Sequence, residues 1–522
     1  MKQKFRALLV YPNIAGMLMP SMAIGLFTSI LKDAGFEVDL FDATLYMEDE
    51  TISPLKRAEY MQVRKFSYEK DIGVKLKSNM IEAFISKVDS FNPDLLVVSV
   101  VEDSFRRFLT LLDAIKERGI PHIVGGVFIT AAPEKAISYP QINMIGIGEG
   151  ENTILEVAER LRDGVSFEDV PSTWIKKEDG RVIKNPPGPI VDLNKALPDY
   201  SLFDEIRFYR PMGGKILRTL PLETYRGCPY SCTYCNSPMW TKYYKGNSQG
   251  VFLRKKNIDR MIEEIEYLRK EYDPELFNII DDSFLARPEG EFREFVRRYK
   301  QFKIPFWFNT RPENITKERT ELLGEINCYR ISVGVECGNQ EFREKKLKRK
   351  VSNAELLERI GILSRSGLVF SINNIIGFPD EDRELIFETI ELNRQFSGYD
   401  TLTVSIFTPY HGTELREEAI RKGYLDPEAL TSHTTASSLL SMPQLSSEQI
   451  DGLMRTFVLY VKFPKKWWPY IKEAEAFATK GNEMFAKLSK IYHDAYLSTD
   501  QLDKSQEEPD WDKLEKTLIR AI

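Results

Sequence analysis

The chain has 522 residues, too many for one ordinary hydrophobic core, so two to four domains are expected. Hydrophobic residues make up 42% and charged residues 29%, the balance of a water-soluble globular protein. The net charge of −6 gives no electrostatic footprint for nucleic acid and no polybasic membrane anchor, so neither partner is expected.

The opening MKQKFRALLVYP has a short apolar run that ends at Pro12, which suits neither a signal-peptide core nor a membrane span. No run of about 18 apolar residues follows, and the reducing cytoplasm is the expected compartment. Of five cysteines, three fall within residues 228–235. A disulfide framework does not cluster in this way, whereas a metal or cluster site does.

Residues 6–11 read as a buried strand, 22–34 as a helix and 36–41 as a second strand. The charged stretch 45–90 reads as helical. Residues 95–101 form a third strand pattern and 105–118 a helix; 122–124 and 144–147 are short strands, and a helix follows near 152–162. Strands alternating with helices imply a doubly wound, Rossmann-like α/β domain over 1–165. Residues 166–220 are rich in Pro, Gly and charge and read as a linker with room for one hairpin.

From 221 the alternation resumes. Strand candidates are 221–225, 276–281, 304–309, 329–335, 369–376 and 401–407, and the clearest helices are 257–272, 290–302, 353–366 and 381–397. Six such units are too few for the closed eight-stranded barrel, so an open partial barrel is expected over 221–425. Residues 426–522 turn mostly helical, with Phe463, Trp467 and Trp468 read as core and 498–510 as a flexible stretch.

Cys228, Cys232 and Cys235 follow the first barrel strand, at the end where parallel barrels carry their chemistry. The spacing is C-x3-C-x2-C. Thiolates suit zinc or iron–sulfur clusters. A structural zinc site would need a fourth ligand, and Cys328, Cys337 or a His are the alternatives. Three ligands on one loop leave one iron of a 4Fe-4S cubane without a protein ligand, free to bind a small molecule. Gly227 and Pro229 suit a loop wrapped closely around a cluster.

The loop closely resembles that of the radical S-adenosylmethionine (radical SAM) superfamily. The resemblance implies that the open iron chelates S-adenosylmethionine, and that an electron from an external donor such as flavodoxin or ferredoxin cleaves it to a 5′-deoxyadenosyl radical. By the same resemblance Tyr234 lies by the adenine, Asp281 and Asp282 reach towards the amino end, and Glu336 in GVECGN contacts the ribose. Ile376, Gly377 and Pro379 form the adenine-side turn, and Phe407 ends the sixth strand. Cys337 stands where the family more often has Ser, and is a minor candidate for a reactive thiol.

In the first domain Pro20 and Ser21 open a helix, while Asp42, Ser99, Gly125, Gly126, Gly148 and Glu149 fall at C-terminal strand ends, where open α/β sheets bind ligands. This order resembles the cobalamin-binding domain that precedes many radical SAM domains. None of the four histidines lies in an Asp-x-His-x-x-Gly motif, so cobalt is expected to lack a His ligand from this domain, and His122 is expected to be a packing residue. The resemblance implies a cobalamin-dependent radical methyltransferase acting on an unactivated carbon of a small-molecule, lipid or sugar substrate. The alternatives are cyclisation, ring contraction or oxidation with the same cofactors, or a cobalamin or cluster sensor without turnover.

Overall fold

A computed structural model describes residues 4–47, 53–247, 250–497 and 509–521. All but the last two residues of the expected flexible stretch 498–510 lie outside these.

The first sheet contains β1 (Arg6–Tyr11), β2 (Glu37–Asp42), β3 (Leu95–Ser99), β4 (His122–Gly125), β5 (Met144–Gly146), β6 (Thr173–Lys176) and β7 (Val182–Lys184). They lie in the order β2-β1-β3-β4-β5-β6-β7. The strands up to β5 are parallel, while β6 and β7 extend the edge antiparallel. The apolar runs are unbroken because both faces are covered. Leu8 and Val10 face one core with Val98 and Val124. Ala7 and Leu9 face another that runs on into the second sheet. The two halves of the chain therefore share apolar core.

Residues 166–220 are not a linker. A turn at Asp179-Gly180 joins β6 to β7, which the expected hairpin covers. A second hairpin, β8 (Tyr209–Met212) and β9 (Lys215–Leu222), begins the other sheet. Between them Tyr200 is fully buried, its ring so close to Gly25 that a Cβ there would sit 2.6 Å from it. The two-residue strands β10 (Tyr225–Arg226) and β11 (Arg254–Lys255) flank the cysteine loop.

The second sheet continues with β12 (Leu276–Ile279), β13 (Phe306–Thr310), β14 (Cys328–Glu336), β15 (Phe370–Ile376) and β16 (Thr401–Ile406). Its order is β16-β15-β14-β13-β12-β9-β8, with β9 and the five later strands parallel. Six parallel strands thus form the open barrel, and the antiparallel β8 adds a seventh at one edge. At the other edge an unpaired β16 would be a hazard. The stretch 45–90 meets that need. Gln62 Oε1 accepts the Val404 N–H at 3.1 Å, and Arg57 donates to Ser405 Oγ at 2.9 Å. From the other side the Ile406 N–H donates to the Thr434 carbonyl at 2.9 Å.

In the C-terminal region Phe463 and Trp467 are fully buried and in edge contact at 5.4 Å. They are core, as expected. Among the described residues no helix is long and apolar enough to cross a membrane.

Candidate functional site

The cysteine loop leaves the barrel after β9 and closes on the helix Ser237–Gly246. Cys232 is buried, Cys228 half-buried and Cys235 exposed. The Ser237 N–H points at Cys235 Sγ at 3.5 Å, and Arg311 Nη1 stands 3.5 Å from Cys232 Sγ. Arg311 also lies over the Tyr230 ring, 3.8 Å from its centre. Burial pushes the half-buried Cys228 thiol up to about 11. Coordination to iron is what would deprotonate such thiols.

The alternative fourth zinc ligands are elsewhere. Cys328 opens β14 at the opposite end of the barrel. Cys337 is fully buried and accepts a contact from the Thr389 hydroxyl at 3.9 Å, behind the sheet. Among the described residues no three His, Cys, Asp or Glu side chains converge as ligands of a single ion would. Three soft donors spread over one loop fit three corners of a cluster.

Around this loop the barrel gathers most of the expected residues. Tyr234 is 5.8 Å from Phe378, which is 5.3 Å from Phe407, so one aromatic row spans the two expected positions. Phe378 belongs to the turn that follows Ile376. Gly377 there has φ 83°, and the buried Glu381 carboxylate accepts the N–H groups of Gly377 and Phe378 at 2.5 and 3.1 Å. Pro379 completes the turn. Glu336 has φ 70° at a bulge in β14, which folds its side chain back over Gly334. Arg349 holds it there at 3.5 Å and donates to the Tyr234 hydroxyl at 3.0 Å. Burial raises the Glu336 pKa against the pull of Arg349 and Arg311.

The two aspartates differ. Asp282 pairs with the Ser237 hydroxyl beside the third cysteine. Asp281 is not free to reach a ligand. Its oxygens accept the N–H groups of Thr224 and Tyr225 at 2.8 and 3.0 Å, and Arg287 at 2.7 Å. It fixes the strand end from which the cysteine loop departs.

At the ligand end of the first sheet, Ser99, Gly125, Gly126, Gly146 and Gly148 line a cavity of about 280 Å³. A Cβ on Gly126 would lie 2.0 Å from the Val100 carbonyl oxygen, and one on Gly148 would lie 2.8 Å from the Tyr244 hydroxyl. Trp240 and Phe252 close the barrel side, stacked at 5.2 Å. A crevice with glycine turns on one wall and flat rings on the other suits part of a large planar cofactor. Ser21, after the buried Pro20, caps the helix Met22–Asp33.

Two expected contacts are spent otherwise. Asp42 Oδ1 accepts the Thr44 N–H at 3.0 Å, and its other oxygen pairs with the buried Arg207. Glu149 lies on the cavity wall, but its carboxylate turns to the barrel. It accepts Arg226 Nη1 at 2.6 Å and the Val191 N–H at 3.1 Å, and it also pairs with Arg254. Arg226 meets Glu151 at 2.9 Å and Glu223 at 2.8 Å as well, and these carboxylates outweigh burial to hold its pKa well above normal. Arg226 is two residues before Cys228, so the loop after β5 is tied directly to the cysteine loop. His122 is packed in β4, its ring against the Ile120 carbonyl.

The residues missed from the sequence are Arg226, Arg311, Arg349, Phe378 and Glu381. Only Phe378 and Glu381 carried a usable signal, by adjacency to the Gly377–Pro379 turn.

Known proteins match the chain in both halves. The radical SAM superfamily model matches residues 222–392 and the B12 binding domain model residues 58–158. An uncharacterized methyltransferase of Pyrococcus horikoshii is 25% identical over 78% of this chain and 87% of its own length. The cytidylyl-2-hydroxyethylphosphonate methyltransferase of Streptomyces wedmorensis is 24% identical over 84% of this chain and 85% of its own. The fold is shared with the radical S-adenosylmethionine methyltransferase TsrM of Kitasatospora setae, solved with cobalamin and a [4Fe-4S] cluster (TM-score 0.62, 16% identity, 94% of this chain and 100% of that one). It is also shared with the cobalamin-dependent radical enzyme OxsB (TM-score 0.64, 15% identity, 99% of this chain and 75% of that one).

Proposed function

The chain belongs to the radical S-adenosylmethionine enzymes that carry an N-terminal cobalamin-binding domain, and from that premise we propose that it methylates an unactivated carbon of a small molecule. When bound, the 4Fe-4S cluster supplies the electron that cleaves S-adenosylmethionine to methionine and a 5′-deoxyadenosyl radical, and cobalamin supplies the methyl carrier.

The chain's own residues bind and position. Cys228, Cys232 and Cys235 hold three cluster corners. Tyr234, Phe378, Phe407 and the turn Ile376, Gly377 and Pro379 take the adenine, Glu336 the ribose and Asp282 the amino end. Pro20, Ser21, Ser99, Gly125, Gly126 and Gly148 line the cobalamin side. Asp42, Asp281 and Glu149 act behind these as positioning residues. The expected limits of 1–165 for cobalamin and 221–425 for the barrel widen to take in β6 and β7 on the first sheet and β8 and β9 on the second, with 426–522 as a helical flank. The electron donor is external, of the flavodoxin or ferredoxin kind, and the compartment is the cytoplasm.

The Glu149–Arg226 pair supports this reading, because it ties the loop after β5 to the cysteine loop. Proximity of that sort is the main catalytic service a protein gives two reactive cofactors. The test uses full-length protein loaded with iron, sulfide and cobalamin and then reduced. Turnover yields both S-adenosylhomocysteine and 5′-deoxyadenosine. Formation of 5′-deoxyadenosine without any S-adenosylhomocysteine would refute methyl transfer.

A further inference from the structure

The inner face of the open barrel stays within reach of solvent. Along β16 the half-exposed Thr401, Thr403 and Ser405 alternate with buried Leu402, Val404 and Ile406. On β13 Trp307 and Asn309 keep the accessible side, and Phe306 and Phe308 are buried. This alternation marks core on one side and an accessible face on the other. The accessible side is polar. Thr403 Oγ1 donates to Asn373 Oδ1 at 2.8 Å, and Trp307 Nε1 donates to Ser332 Oγ at 2.7 Å.

Two groups there are poorly served. Arg210 of β8 lies 4.7 Å from the centre of the Trp307 ring and points Nη1 at the Met19 sulfur, 3.7 Å away. Asn278 is 5% exposed. Its donor Nδ2 reaches only the same sulfur at 3.1 Å. A thioether is a weak acceptor. Among the described residues no carboxylate pairs with Arg210, although burial pulls it down only to about 10 and leaves it charged at neutral pH. Arg57, bound to Ser405 Oγ and Gln62 Oε1, is a second guanidinium on this face whose partners are all uncharged. At the upper rim Glu336 is already held by Arg349, and Asp282 pairs with the Ser237 hydroxyl. Met19 comes from the loop after β1, so Arg210 and Asn278 meet where the first sheet's ligand end opens on the barrel.

We infer that this lumen takes an anionic small molecule, with Arg210 and Asn278 seating its oxyanion. The inference rests on the lumen being the substrate cavity of the proposed methyl transfer, and it names that substrate's class. A charged oxygen is a far better partner for a guanidinium and an amide than a thioether, the more so out of bulk water.

Ligand-observed NMR on the full chain, with inorganic phosphate and acetate as probes and acetamide as the neutral control, tests this directly. Wild type binds at least one anion saturably and binds acetamide more weakly. R210Q weakens that binding about tenfold or more, while R210K, which keeps the charge, falls between the two. N278D, nearly isosteric, sets a carboxylate against the guanidinium and also removes anion binding, which covers the case of R210Q failing to fold. Wild type that binds neither anion, acetamide binding as tightly as the anions, or R210Q matching wild type overturns the inference. Formation of S-adenosylhomocysteine by the loaded wild type is read separately; its absence sinks methyl transfer and leaves the anion result standing.

Discussion

The two ligand-binding ends that face each other are made in opposite ways. The first sheet shapes its end with glycine: Gly125, Gly126, Gly146 and Gly148 turn close backbone towards a cavity otherwise lined by apolar and aromatic side chains. The barrel fills its end with side chains instead, three thiols, an aromatic row and an arginine–glutamate pair. A large rigid cofactor is met by removing atoms, whereas a cluster and a small flexible ligand are met by adding donors. Between the two ends runs a buried ionic seam, Glu149, Glu151, Arg226, Glu223 and Arg254.

The sharpest way to separate the ends is to break one chemistry and watch the other. Cys232→Ala removes the buried thiol of the three. Bound iron and its visible absorption should fall to background and cleavage of S-adenosylmethionine should vanish, while a cobalamin titration stays as in wild type. Loss of both cofactors would mean that the ends are not separable.

The seam should give the next largest effect. Arg226→Met leaves Glu149, Glu151 and Glu223 crowded, with Arg254 as the remaining arginine on Glu149. Stranding buried carboxylates costs about 3–5 kcal/mol, visible in denaturant melts. Cobalamin affinity and iron content should fall together in this variant, because it disturbs both ends. Gly126→Ala acts on the first sheet alone. Its Cβ would meet the Val100 carbonyl at 2.0 Å, and φ is 127°. About 1–3 kcal/mol of backbone strain is expected, with cobalamin binding weakened and iron content unchanged.

The same contrast explains what the sequence reveals. Glycines after short apolar strands and cysteines at fixed spacing are local signals, and the first sheet and the cysteine loop are both legible from them. The six barrel strands are legible too, within a few residues, because each is an apolar or alternating stretch between helical patterns. The start of β9 is the exception. It begins at Lys215, ahead of the expected 221, because pairing with β8 extends it and β8 has no apolar run. Residues 166–220 look like a linker because their strands are short edge strands that need a neighbour's ladder more than apolar content. Arg226, Arg349 and Arg210 could not be found, since each acts on a partner brought near only by the fold. Asp42, Asp281 and Glu149 show the converse. A carboxylate at a strand end is as useful for bracing a loop as for touching a ligand, and only the partner tells which.

The smallest effect lies at a second contact between the halves, and its sign follows from titration. Glu102 accepts the N–H groups of His411 and Thr431 at 3.0 and 2.9 Å, and meets His411 Nδ1 at 2.8 Å. Burial alone would raise its pKa, but the hydrogen bonds and charge of His411 and the Thr431 N–H outweigh this and hold the carboxyl below its ordinary value of 4.5. A depressed carboxylate pKa adds stability above the unfolded-state value and loses it as pH falls through the folded one. Asp103, Tyr410 and Arg416 also feel this charge. Asp103 is pushed up to about 6, by burial first and then by Glu102, so the comparison belongs in a D103N background. There E102Q should cost about 1–3 kcal/mol at pH 7, the scale of a charged hydrogen bond. Melts taken at falling pH should show that gap closing below about 4.5, the unfolded-state value. A gap that stays constant with pH would mean that shape, rather than charge, holds this contact.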